Sequence, residues 1–181
     1  DLTTADQYLE VLGPNARIAV TDIDGTLTTS EYASWTDYIG GTPPDAHPGA
    51  ALALTALAQR GYLLFYLTAR PEWLEPRTHE WVTLRGFPEG VVHTTLGGLG
   101  VSGAAAVTFK SGELAQLFTQ TAVVPEYGFG NRETDVAAYT DGGVAHGYYF
   151  DLPNVELHGG VNHSDYSGLV PTFTALPAQC P

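Results

Sequence analysis

Apolar residues along the chain fall into two alternating patterns. Short continuous runs, rich in β-branched and aromatic residues, occur at RIAVTDID (17–24), YLLFYLTAR (62–70), GVVHTTL (90–96), AVVPEYGFG (122–130) and HGYYFDL (146–152). Runs of this length and composition read as buried strands. Between them the apolar residues return at helical spacing, in GAALALTALAQRG (49–61), PEWLEPRTHEWVTLRG (71–86), SGELAQLF (111–118) and ETDVAAYTDGG (133–143). Each helical stretch ends on glycine or runs into a loop, as helix C-termini favour. A further short helix is expected over Ala5–Leu12, stopped by Gly13-Pro14. Pro48 can open the helix that follows it.

Strand and helix alternate, and the strands are apolar throughout rather than every second residue. That combination predicts a parallel sheet covered by helices on both faces. The expected fold is therefore α/β, a Rossmann-like three-layer sandwich with a mainly parallel central sheet, in one domain over 1–181. The core is expected over about 17–152, with a Gly, Asn, Ser and Pro-rich tail of open form from 153 to 181. In such sheets ligands bind beyond the carboxyl ends of the strands, so those ends carry the candidate chemistry.

The first strand ends in DIDGTLTTS. Asp22 and Asp24 lie two apart and point to opposite faces unless the chain turns, which Gly25 permits. The second strand ends in LTAR, where Thr68 offers a hydroxyl and the backbone after it, at Ala69, an amide to an anion. The fourth ends in GFGNRETD, with Asn131 and Asp135 spaced to face the first pair. Taken singly each has a plain structural reading: turn aspartates, a helix cap, a helix start. Lys110 is the only lysine in the chain, and SGELAQLF reads as a helix beginning just after it.

Together, DIDGTLT, LTAR, Lys110 and GNRETD follow the order of the four motifs of the haloacid dehalogenase superfamily of phosphohydrolases, which the chain resembles. RGYLLFYLTARP, RGFPEGVVH, TFKSGELAQLF and YGFGNRETDVAAYTDGGV are similar to its lipin-type subgroup, found in phosphatidate phosphatases and phosphatidylinositol-transfer proteins. The resemblance implies a phosphatase, and Thr28 to Pro48 and the glycine loop before Lys110 are too short for a sizeable cap, so minimal or no cap is expected. Asp22 would be the nucleophile, forming an aspartyl-phosphate, and Asp24 the general acid and base. Thr68, Ala69, Gly25 and Lys110 would hold the phosphoryl group. Mg²⁺ would be held by Asp22, the Asp24 carbonyl and Asn131, with Asp135 ordering its waters or binding directly. Asparagine at 131 departs from the commonest superfamily form, which has aspartate, and matches the lipin-type one. Transfer-protein domains often lack the nucleophile, whereas this chain has both aspartates. The implied substrate is a phosphorylated small molecule or a lipid phosphate such as phosphatidate.

Composition narrows the partners. The formal net charge of −13 repels nucleic acid and anionic membrane surfaces, and the seven Lys and Arg residues form no basic run. No apolar run suits a transmembrane span of about 18 residues or more. Peripheral membrane contact rests only on Tyr32, Trp35, Tyr38 and Ile39 as an apolar lip, which packing over the core explains more simply. The chain contains no methionine, even at its first residue, as a processed or excised chain would. The compartment, cytoplasmic or exported, and the oligomeric state stay open. Cys180 is the only cysteine, which excludes an internal disulfide.

Several signals are expected to be structural. GLGVSG (98–103) matches a dinucleotide fingerprint, but the AAAVTF after it looks too short and β-like for the helix required. His158 and His163 read as surface residues, and His47 and His93 as structural ones beside the site. Arg70 and Arg132 are expected to pair with carboxylates inside their motifs.

Overall fold

The computed structural model describes residues 10–13, 15–30 and 42–178. Six parallel strands form one sheet in the order β3-β2-β1-β4-β5-β6. They are β1 Arg17–Thr21, β2 Tyr62–Pro71, β3 Gly90–Thr95, β4 Tyr127–Gly130, β5 His146–Phe150 and β6 Val161–His163. Helices α1 Ala50–Ala58, α2 Glu75–Leu84, α3 Gly103–Thr121, α4 Glu133–Asp141 and α5 Leu169–Thr174 connect and cover them.

The three layers follow from the sequence of β1. Successive side chains of a strand face opposite ways, and here both faces are apolar. Ala19 joins a cluster with Leu54 and Leu57 of α1, Trp81 of α2 and Phe173 of α5. Ile18 and Val20 join a second cluster with Leu114 of α3 and Val136 and Tyr139 of α4. β1 pairs with β2 on one side and β4 on the other, so the strand order reverses around it. The crevice of a doubly wound sheet opens at such a reversal, and the candidate residues of β1, β2 and β4 all stand there.

Three expectations change. First, α3 begins at Gly103, not after Lys110. Ala104, Ala105 and Ala106 have the highest helix propensity available, and AAAVTF becomes the first turns of the helix rather than a strand. Lys110 therefore sits inside the helix and is buried. Second, the tail completes the domain's core. It supplies β6, paired to β5 from Tyr148↔Val161 to Phe150↔His163, and α5. Tyr166, just ahead of α5, and Leu169 and Phe173, four apart on it, all enter the core. His163 accordingly stacks on Tyr148 with ring centroids 5.4 Å apart instead of lying on the surface, while His158 is exposed. Third, β2 runs on to Pro71, and a 3₁₀ turn, Glu72–Leu74, precedes α2, so α2 starts later than its leading proline implies.

Smaller shifts occur elsewhere. α1 starts two residues after Pro48, behind Gly49 at φ 81°. Residues 10–12 carry no regular element, and the rest of the expected first helix lies outside the described residues, as do Tyr32, Trp35, Tyr38, Ile39 and Cys180. Thr28 and Ala46 form an antiparallel bridge that closes the base of the segment between β1 and α1.

Candidate active site

The turn after β1 is built by local hydrogen bonds. Asp22 N–H still donates to the Phe129 carbonyl at 2.9 Å, as a last rung toward β4. The chain then curls: the Leu27 and Thr28 amides both donate to the Ile23 carbonyl, and Gly25 adopts φ 76°, a conformation costly for any residue with a Cβ. The Gly25 amide donates to Thr28 Oγ1 at 2.9 Å. This curl brings Asp22 and Asp24 to one cavity despite their extended-strand parity.

Lys110 reaches into the same place from α3. Its Nζ donates to Asp22 Oδ1 at 2.7 Å and to Asp135 Oδ1 at 2.6 Å. Asp135 Oδ2 accepts the backbone amides of Asn131 and Arg132, each at 3.0 Å, which ties the α4 N-terminus to the β4 end. Gly130 is required beneath it, because a Cβ there would collide with the Asp135 side chain. Asn131 Oδ1 accepts from the Thr26 hydroxyl at 2.9 Å. Tyr166, from the tail, donates its hydroxyl to the Thr26 carbonyl at 2.9 Å.

The Asp24 carboxylate is gripped by Arg70. Arg70 Nε donates to Oδ2 and Nη2 to Oδ1, both at 2.8 Å, and Nη1 donates to Thr78 Oγ1 at 3.1 Å. Thr68 is fully buried in β2, and its hydroxyl accepts the Arg70 amide at 3.3 Å. The β2 residues that reach the cavity wall are Ala69, Arg70 and Pro71.

The cavity measures about 610 Å³. Its floor carries Asp22, Asp24, Lys110 and Asn131, with Arg132 at the side, and an apolar wall is made by Trp73, Leu74, Leu99 and Val101. Trp73 Nε1 donates to the Gly98 carbonyl at 2.9 Å, which fastens the glycine loop 96–102 to that wall. Leu96 and Leu99, 85% and 83% exposed, project from this loop. Gly25, Thr68 and Asp135 stand behind the floor rather than on it. His93 lies apart: its Nδ1 meets Glu113 Oε2 at 2.8 Å and its ring packs on Phe65. His47 packs against Tyr166.

The floor is short of positive charge. Three carboxylates, Asp22, Asp24 and Asp135, are in direct ion pairs with two cations, Lys110 and Arg70. Burial pushes the Asp22 carboxyl up to about 7; Lys110 opposes this, while Asp135 and Asp24 reinforce it. Burial works against the Lys110 charge, but Asp135 and Asp22 outweigh it and hold the ammonium above its ordinary range. The negative field extends to Tyr166, whose hydroxyl is pushed well up by burial and by Asp22.

A hard divalent cation fits this donor chemistry. Asp22 and Asn131 offer oxygen at the cavity floor, the Asp24 carbonyl lies in the curl between, and the cluster carries negative charge in excess. Among the described residues no group of three or more His, Cys, Asp or Glu is arranged to hold a metal. The fitting donor set is a mixed one of carboxylate, amide and backbone oxygens.

Arg70 as a two-pronged partner of Asp24 follows the expected pairing. Thr26, Thr78 and Tyr166 were missed by sequence reasoning. Only Leu169 and Phe173, four apart on the short α5, carry a readable signal of a buried helix face in the tail.

The fold is the one seen in solved haloacid dehalogenase-like phosphatases. The family is narrower still: residues 19–152 match the LNS2 domain of the PITM 1-3 proteins, and the chain belongs to that family. Among curated relatives, it is 34% identical over 92 residues to membrane-associated phosphatidylinositol transfer protein 2 of Homo sapiens, covering 51% of this chain and 6% of that protein. The matched segment spans under a tenth of the length of these curated relatives. Among solved structures, D,D-heptose 1,7-bisphosphate phosphatase of B. bronchiseptica, complexed with magnesium and phosphate, aligns with a TM-score of 0.60 at 13% identity, over 86% of this chain and 97% of that one. The cobalt-bound deoxy-D-mannose-octulosonate 8-phosphate phosphatase of Haemophilus influenzae aligns with a TM-score of 0.54 at 17% identity, over 82% and 77%. These two likenesses concern the fold.

Proposed function

We propose that this domain is a Mg²⁺-dependent phosphatase that cleaves a phosphomonoester through an aspartyl-phosphate at Asp22. The observation that carries the reading is the pair of Asp22 and Asp24 on the floor of one open cavity, with the chain's only lysine bonded to Asp22 at 2.7 Å.

In the first step the Asp22 carboxylate attacks phosphorus, an O–P bond forms, and the bond to the leaving oxygen breaks in line. Asp24 gives its proton to that oxygen, so an alcohol rather than an alkoxide departs. In the second step Asp24 takes a proton from the water that attacks phosphorus, and Asp22 leaves as a carboxylate. Lys110 holds Asp22 in place and offsets charge on the phosphoryl oxygens. Ala69 lines the cavity and would offer its backbone to the phosphoryl group, with Thr68 and Gly25 shaping the chain from behind. Asp22, the Asp24 carbonyl and Asn131 would hold the cation, with Asp135 behind them holding Lys110 and the Asn131 amide in place. The cation supplies positive charge against the phosphoryl oxygens.

The apolar wall of Trp73, Leu74, Leu99 and Val101 favours an amphiphilic ester, with a lipid phosphate such as phosphatidate as the leading substrate. Phosphatidylinositol transfer proteins among the relatives support a second reading, in which the same cavity holds a lipid phosphate without turnover. Release of phosphate from p-nitrophenyl phosphate and from phosphatidate in detergent micelles, with and without Mg²⁺, tests the proposal. Mg²⁺-dependent release that Asp22→Asn abolishes supports catalysis. Phosphatidate binding with no release of phosphate from either ester favours the second reading and rejects the first.

A further inference from the structure

Arg70 stands out because so much of it is spent on one carboxylate. Its side chain is 2% exposed, against 18% for Asp24. The fork meets the carboxylate edge-on, one N–H to each oxygen at 2.8 Å. Rotating the Asp24 side chain would break both bonds together, so the plane of the carboxylate is set by the guanidinium. The guanidinium is itself held from behind. Its third arm donates to Thr78 Oγ1, and that hydroxyl donates to the Leu74 carbonyl at 2.9 Å. Thr78 is fully buried on α2, so a fixed helix face determines where Asp24 points.

We propose that Arg70, backed by Thr78, is a positioning residue that fixes the Asp24 carboxyl for proton transfer at the leaving oxygen. The proposal rests on the phosphatase reading above. When Asp24 carries the proton, one of its oxygens cannot accept from the fork as fully as the other. As the O–H bond of Asp24 breaks and the leaving oxygen takes the proton, the phosphorus–oxygen electron pair passes to that oxygen and Asp24 becomes a carboxylate. Both Arg70 hydrogen bonds are then complete, so the fork complements the charge that develops during the step. The same geometry presents the carboxylate to water in the second step. Arg70 acts through Asp24 and needs no contact with the substrate.

A good leaving group separates this role from a merely structural one, because p-nitrophenolate departs without a proton and an alkoxide does not. Turnover of p-nitrophenyl phosphate and of a long-chain alkyl phosphate in detergent micelles is compared in wild type, Arg70→Ala, Thr78→Val and Asp24→Asn. General acid catalysis is worth about a hundredfold or more. Arg70→Ala should therefore lower kcat on the alkyl ester about a hundredfold more than on the aryl ester. Thr78→Val should show the same bias at about fivefold, the worth of one hydrogen bond of about 1 kcal/mol. In the Asp24→Asn background, Arg70→Ala should add no further bias. Equal losses on the two esters, or a bias that persists without Asp24, overturn the proposal while leaving the phosphatase reading intact. If wild type turns over neither ester, the phosphatase reading fails and takes this role with it. If Arg70→Ala does not fold by circular dichroism, Thr78→Val alone decides.

Discussion

Lys110 Nζ lies 2.7 Å from Asp22 Oδ1, and the lysine side chain is 3% exposed. From the sequence, loss of this lysine is expected to cost activity far more than stability. Its burial between two carboxylates makes it matter for folding as well. Lys110→Ala leaves Asp22 and Asp135 facing each other without their cation. Breaking a buried pair from one side costs about 3–5 kcal/mol, and losing a charged donor at the phosphoryl group costs about 10²–10³ in kcat. Thermal denaturation and phosphate-release assays should show both losses. Mg²⁺ should raise the melting temperature of the variant more than that of wild type, because it replaces part of the missing charge.

The pH dependence of stability follows from Asp22. Its folded-state carboxyl is raised from 3.8 to about 7, so between those values the folded protein keeps a proton that the unfolded chain releases. The contribution is complete below about 4 and is lost as pH rises to about 7. The metal-free protein should therefore lose stability over that range on account of Asp22, and Asp22→Asn should flatten this part of the profile. Mg²⁺ competes with the same proton, so its affinity measured calorimetrically should rise with pH up to about 7. An affinity independent of pH would remove Asp22 from the cation site.

Tyr166 reaches the curl after β1 from far along the chain. Tyr166→Phe keeps the ring and strands the buried Thr26 carbonyl, a loss of about 1–3 kcal/mol. Thr26 also orients the Asn131 amide, so Mg²⁺ binding should weaken several-fold beyond any change in melting temperature. Unchanged Mg²⁺ affinity would confine Tyr166 to packing.

Phe173 is fully buried and meets Tyr127, Phe129 and Tyr148 edge-on. Phe173→Ala should cost about 3–5 kcal/mol by denaturant unfolding. A fragment limited to 17–152, the span of the readable motifs, should lack a cooperative transition. Cooperative unfolding of that fragment would show that the tail is dispensable.

Strand β6, the short polar Val161–His163, carries no local pattern, but strands β1 to β5 and the charged residues at their ends were legible because each is one: an apolar run followed by a polar turn. The start of α3 was not, because Val107, Thr108 and Phe109 favour strands by composition while Ala104–Ala106 and the helix they begin decide otherwise. The Asp24–Arg70–Thr78 chain was only half legible. Arg70 stands in a motif, but Thr78 is recruited by the way α2 packs back on β2, and no spacing along the sequence encodes that. Tyr166 sits among Gly, Asn and Ser residues whose composition leaves the form of the tail open.

The hydrogen bond between Tyr166 and Thr26 joins residues 140 positions apart, and the β1 pairing waits for both β2 and β4. Such distant closures make folding slow relative to helical bundles and delay it until most of the chain has been synthesised. Asp22 and Asp24 emerge first and stay hydrated until Arg70 and Lys110 follow. The carboxylates are thus withdrawn from water only when their counter-charges are present, and a chain interrupted before its last described helix carries the motif residues without the Leu169 and Phe173 side chains that close the core on that face of the sheet.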